Sequence, residues 1–242
     1  MTANLQFPND RCERAWAVYV GAEKSGSRAE KLSTLDALGV ELIAARPEGR
    51  RQFVESWCLA FLDGDAVSPL SLGNGQWMRL PLFRAVFRPV LESGRLEGRA
   101  GYARWSAQLH GLFSRPEGAY RPYEPSAKAL LREALQVDPG DIRARALLIE
   151  DLLSDVDYYC HELPAGLLVK AEILLERVSE VEDLLSGTIW AARSHGGLSA
   201  LRRVAAGDWS DRVLDDAFRL LSLRFRIAKA LLPKTRGSRS LP

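Results

Sequence analysis

The densest group of side chains able to do chemistry is Asp151, Asp155, Asp157, Cys160, His161 and Glu162. On a helix, Asp157 and His161 are i, i+4 neighbours able to share a metal ion, and Asp151 and Asp155 lie together on an adjacent face. His161-Glu162 is followed by Leu163, Pro164 and Ala165, so the two-histidine helical zinc motif is absent. A third ligand would have to come from elsewhere, with His110 and His195 the remaining histidines. A metal-dependent enzyme using Asp157 and His161 is one reading. A solvated acidic face, with His161 beside a helix C-terminus, is the plainer one.

Other catalytic signatures are missing. There is no Gly-x-Ser-x-Gly elbow, Gly73-Asn74-Gly75 lacks the third glycine of a dinucleotide fingerprint, and no Walker lysine motif occurs. Cys12, Cys58 and Cys160 are odd in number and have no paired CxxC spacing, which speaks against a disulfide framework and a zinc site. No cofactor and no metal are expected.

Charge offers two further surfaces. Arg79, Arg84, Arg88, Arg95, Arg99 and Arg104 lie near Trp77, Tyr102 and Trp105, and Arg212, Arg219 and Arg226 recur every seven residues. This pattern would suit a nucleic acid. Asp208 and Asp215, four residues before Arg212 and Arg219, are placed to neutralise the second stripe, so nucleic acid is the less favoured partner. Residues 138–183 hold 12 acidic and 4 basic side chains, net −8, whereas 184–242 are net +7. Within the acidic block Glu172, Glu176, Glu180 and Asp183 form a row at spacings of four, four and three, with no lysine among them.

The elements that must carry these residues are helical. Ala127, Leu130, Leu131, Ala134 and Leu135 make one apolar stripe of 3.6-residue period, starting at a cap on Ser126. Asp138-Pro139-Gly140-Asp141 ends that helix and begins the next, which carries Ile142, Ala146, Ile149, Leu152, Leu153 and Val156 and stops before Pro164. Leu167, Ala171, Leu174, Leu175, Val178 and Leu185 form a third stripe.

Earlier in the chain, Asn9 or Asp10 caps a helix with Cys12, Ala15, Trp16, Tyr19 and Val20 inward, and Leu32, Leu35, Leu38, Leu42 and Ile43 mark a second. Phe53, Trp57 and Phe61 mark a third after Pro47, and two more begin at Pro81 and after Gly101. Residues 66–79 and the proline-rich 115–125 are loops, the latter the expected internal boundary. Gly196-Gly197 is expected to break 188–206 into two short helices. A last helix, capped by Asp208, carries Leu214, Phe218, Leu221, Phe225, Ala228 and Leu232 as a heptad-like seam for the body or a second copy.

Ala127, Leu131, Ala134, Leu135 and Pro139, followed by Leu148, resemble the second helix and closing proline of a tetratricopeptide repeat and the start of the next repeat. The likeness covers about one and a half repeats, 126–153, with His161 and Arg145 departing from the family's pattern. It implies a stacked helical hairpin with a peptide-binding groove.

A chain of 242 residues buries enough surface to need no disulfide or metal staple. The polar residues 1–14 lack the apolar core of a signal peptide, and no stretch is long and apolar enough for a membrane span. Arginine outnumbers lysine 27 to 6, a bias of GC-rich bacterial genomes. The expectation is a cytoplasmic, all-α protein of about ten helices stacked as antiparallel hairpins, partly solenoid-like. It forms one domain or two packed halves, 1–114 and 126–233, followed by a disordered basic tail, 234–242. Its expected role is non-catalytic protein binding, as an adaptor, inhibitor or immunity-type protein. A basic partner would meet Asp151, Asp155, Asp157, Glu162, Glu172, Glu176, Glu180 and Asp183, and the last helix could also join two copies.

Overall fold

In the computed structural model, which describes residues 5–64, 79–113, 125–163, 165–223 and 226–227, Asn9 starts the first helix by accepting hydrogen bonds from the Arg11 and Cys12 amides. This helix, α1 (Asp10–Ser25), turns at Gly26 into α2 (Arg28–Ala44). Ser27 and Glu30 close the turn reciprocally, each side chain accepting from the other's backbone N–H. Such a box satisfies two donors that a helix start otherwise leaves bare, at about 1 kcal/mol for the cap. Every regular element among the described residues is helical, and none is long and apolar enough to cross a membrane. The chain divides into two units, Met1–Val137 and Asp138–Pro242.

The first unit continues with α3 (Pro47–Phe61), α4 (Leu80–Leu82), a π-helical turn (Phe83–Phe87), α5 (Arg88–Leu96), α6 (Tyr102–Gln108), α7 (His110–Phe113) and α8 (Ala127–Val137). Its core is aromatic: Tyr19, Phe53, Trp57, Phe83 and Phe87 are all buried, and Phe87 meets Phe53 and Trp57 edge-on at 6.1 and 5.0 Å. The π turn lies just before Pro89, whose ring and missing N–H disrupt an ordinary α turn; the Arg88 amide reaches back five residues to the Phe83 carbonyl. Leu32, Val40 and Ile43 stay exposed on α2, so its buried stripe is the narrower Leu35, Leu38 and Leu42.

The boundary between units falls after α8 instead of in the proline-rich connector. The reason is local: α8 packs on α6, and Glu133 of α8 takes two hydrogen bonds from Arg95 of α5, at 3.2 and 2.9 Å. Residues 65–78 and 114–124, which include Trp77 and all but the last residue of each expected loop, lie outside the described residues.

In the second unit α9 (Ile142–Tyr159) packs on α10 (Ala171–Leu185), α10 on α11 (Trp190–Ala205), α11 on α12 (Asp211–Ser222), and α12 returns to α9. The circuit is closed, as in a four-helix bundle, whereas a solenoid would leave its end helices one-sided. Its core is Ile149, Leu152, Leu153, Val156, Leu174, Val178, Val181, Leu185, Leu198, Leu201, Val204 and Leu221.

Several sequence expectations shift here. Helix α11 runs unbroken through Gly196-Gly197, and Gly197 lets α12 pack closely against it: a Cβ there would stand 2.4 Å from the Leu220 Cβ. Ser210, not Asp208, precedes α12, since Asp208 is occupied with the Arg203 guanidinium and the Ser210 amide and hydroxyl. The buried face of α12 is Val213, Ala217, Leu220 and Leu221, so of the expected seam Leu221 packs on the body whereas Phe218, 39% exposed, does not. Ile142 and Leu175 are likewise exposed. Phe225, Ala228, Leu232 and the basic tail lie outside the described residues.

Candidate partner-binding face

Helix α10 has two opposite faces. Leu174, Val178, Val181 and Leu185 are buried, so at 100° per residue Glu172, Glu176, Ser179 and Asp183 must point away from the bundle, and all four are exposed. Its flanks are fixed by ion pairs. On one side the Arg177 guanidinium lies 3.9 Å from Asp155 of α9; on the other, Glu182 accepts two hydrogen bonds from Arg202 of α11. Arg202 holds the Glu182 carboxyl below its ordinary range.

The acidic row of α10 holds no lysine, but Arg177 lies beside it. It stands next to Glu176 and three residues before Glu180, and it reaches both, at 3.2 and 3.7 Å. The structure therefore gathers Asp155, Glu176 and Glu180 around one guanidinium at the edge of the face. Glu176 keeps a side chain 67% exposed, while that of Glu180 is 24% exposed. Asp151 and Asp157 are half-buried on α9, and Glu162 is exposed beyond its end.

The helical pairing expected of Asp157 and His161 does not form. Helix α9 ends at Tyr159, and the His161 amide bonds back three residues to the Tyr158 carbonyl, a tighter turn that takes His161 off the helical face. The imidazole is 71% exposed and lies 3.7 Å from Glu162. Among the described residues no group of three or more His, Cys, Asp or Glu side chains is placed to hold a metal ion. Cys160 beside it is buried, and burial followed by the Asp157 charge pushes its thiol up to about 11. Cys12 and Cys58 are also buried and free, with thiols raised chiefly by burial, so all three cysteines are weak nucleophiles.

The arginines read as a nucleic-acid surface are largely committed within the first unit. Arg79 binds Glu23 through two hydrogen bonds of 2.9 Å, Arg88 binds Glu92, Arg95 binds Glu133, Arg99 binds Glu55 and Glu97, and Arg104 grips Asp63. Tyr102 and Trp105 are buried: the Tyr102 hydroxyl donates to Glu55 at 2.5 Å and the Trp105 indole donates to Asp63 at 3.0 Å, so neither ring is a stacking platform. In the second unit Arg219 lies 3.7 Å from Asp216, and Asp208 has turned to Arg203, so the two pairings expected from Asp215 and Asp208 are replaced by others.

An open cleft of about 510 Å³ lies over the start of α1, lined by Asn9, Asp10, Arg11, Arg14, Glu41 and Ala44. Its two cations and two carboxylates balance, and Asn9 already serves the helix amides. The chain matches no family model, no curated protein and no solved structure.

Proposed function

We propose that this chain is a non-catalytic protein-binding module, of the adaptor, inhibitor or immunity type, that engages a basic partner through the outer face of α10. The observation that supports it best is the orientation of Glu172, Glu176 and Asp183, all carried to the solvent side of a helix whose opposite side is fully buried. Arg177 is the only cation in α10, and it stands at the edge of this face against Asp155. Like charges at i, i+4 cost an isolated helix a few tenths of a kcal/mol per pair, a cost that a basic partner turns into attraction. Asp151, Asp155, Asp157 and Glu162 extend the negative field along α9 and the turn beyond it.

A cytoplasmic bacterial setting is part of the same reading. The test is affinity capture from the source cells with the wild-type chain and with Glu172→Lys/Glu176→Lys/Asp183→Lys. A protein held by the wild type, released by salt and not held by the variant supports the proposal. A partner held equally by both overturns it.

A further inference from the structure

Helix α2 is apolar on two sides. Leu35, Leu38 and Leu42 are buried in the first unit, while Leu32, Val40 and Ile43 are 48, 65 and 49% exposed. Helical period joins the exposed three into one row: with Asp36 and Gly39 they fall at i, i+4, i+7, i+8 and i+11, within about 100° of the helix circumference. No other helix among the described residues exposes more than two large apolar side chains. Those pairs, Ile142 with Tyr158 on α9 and Ile173 with Leu175 on α10, point about 160° apart and share no face. Two further features of the α2 row serve nothing within the chain. Gly39 stands in the helix interior, where glycine weakens a helix, yet a Cβ built on it would meet no atom within 4 Å. Asp36, the only charge in the row, and Arg46, just past the end of α2, are both exposed, and among the described residues neither has an ion-pair partner.

We propose that this face of α2 receives the same face of a second copy of the chain, the two helices running antiparallel about a two-fold axis between Gly39 and Val40. The middle of the row passes between these two residues, so the register follows from the row itself. It seats Val40 of each copy in the gap left by Gly39 of the other, as an isologous contact requires. It also places Asp36 beside the second copy's Ile43, one helical turn of about 5.4 Å from that copy's Arg46. A long arginine side chain spans such a distance, so the two unpaired charges meet, and by symmetry they meet twice. Leu32, Val40 and Ile43 of both copies leave water together. Charge selects this occupant over others. An unrelated apolar helix would leave Asp36 and Arg46 unpaired, whereas a second α2 supplies each with its opposite. A lipid surface offers Asp36 no cation, and anionic headgroups repel it.

The experiment is sedimentation velocity of the full chain over a range of concentrations. The wild type should pass from monomer to twice the monomer mass as concentration rises. Gly39→Leu, at a position whose Cβ has open space in its own chain, should weaken association by about tenfold or more and leave the circular dichroism of the dilute protein unchanged. Asp36→Arg and Arg46→Asp should each weaken it by about tenfold, since each sets like charges across the two-fold. An equimolar mixture of these two variants should recover association to within about threefold of the wild type, because each then finds its opposite charge in the other. A wild type that stays monomeric at every concentration overturns the proposal, and its flotation with phosphatidylcholine vesicles would then assign the face to lipid. A dimer that none of the three substitutions weakens, or that the mixture fails to rescue, overturns it as well and puts the interface elsewhere.

Discussion

Gly197 of α11 lies so close to Leu220 of α12 that a methyl group on it would stand 2.4 Å from the Leu220 Cβ and 3.1 Å from its Cγ. The two helices meet at this point, and the glycine is there to let them. Gly196, one residue earlier and 100° away, faces open space, with no atom within 4 Å of a Cβ placed on it. Gly197→Ala should therefore destabilise the chain by about 1–3 kcal/mol through overpacking, whereas Gly196→Ala should stabilise it by about 0.5–1 kcal/mol by removing backbone freedom from a helix interior. Urea melts of the two variants give opposite shifts of midpoint on this account, and equal shifts would show that the glycine pair acts as a simple helix weakener.

A similar contrast separates Phe218 from Leu220. Leu220 is 4% exposed and packs under Gly197, whereas Phe218 is 39% exposed. Leu220→Ala should cost about 2–5 kcal/mol, as cavity-forming substitutions do, and Phe218→Ala less than about 1 kcal/mol. A larger loss at Phe218, or a fall in apparent mass with that variant alone, would restore the heptad-like seam read from the sequence.

Glu23 is buried, and hydrogen bonds from Arg79 hold its carboxyl below the ordinary range despite the opposing effect of desolvation. A carboxylate depressed in the folded state stabilises the fold above its unfolded value, about 4.3, and that contribution is lost as pH falls through the folded value. Glu23→Gln should thus lower the melting temperature at neutral pH, with the difference from wild type shrinking below about pH 4. Arg79→Ala should be as harmful or worse at neutral pH, since it strands the carboxylate beside Tyr19, whose phenol burial and Glu23 already push up. A difference that grows on acidification would reverse the sign of this argument.

The helical class was legible from the apolar period and from Asn9, an expected cap that begins α1 by accepting from its first amides, whereas the caps of α2 and α9 fall on Ser27 and Asp141, neither of which was expected as a cap. What the sequence concealed came from contacts between elements. Gly196 and Gly197 look alike in sequence, and only the approach of α12 distinguishes them. The row of α10 was visible at its spacing, but Arg177 sits 100° away from Glu176 and acquires its meaning from Asp155 on another helix. Likewise the runs of arginine between 79 and 104 read as a basic surface until their carboxylates arrive from α1, α3 and α8 and from the chain just after α3 and α5. The i, i+4 relation of Asp157 and His161 presumed one more turn of α9 than the chain makes.

The most direct measurement of the central claim is the association rate constant of the captured partner as a function of ionic strength, for the wild type and for Glu172→Lys/Glu176→Lys/Asp183→Lys. Steering by the outer face of α10 makes the wild-type rate fall steeply as salt rises, and the reversal should lower the low-salt rate by tenfold or more, so that the two curves converge at about 1 M salt, where the Debye length is about 3 Å. Rates that are the same for both proteins at every ionic strength would contradict the claim that this face receives a basic partner.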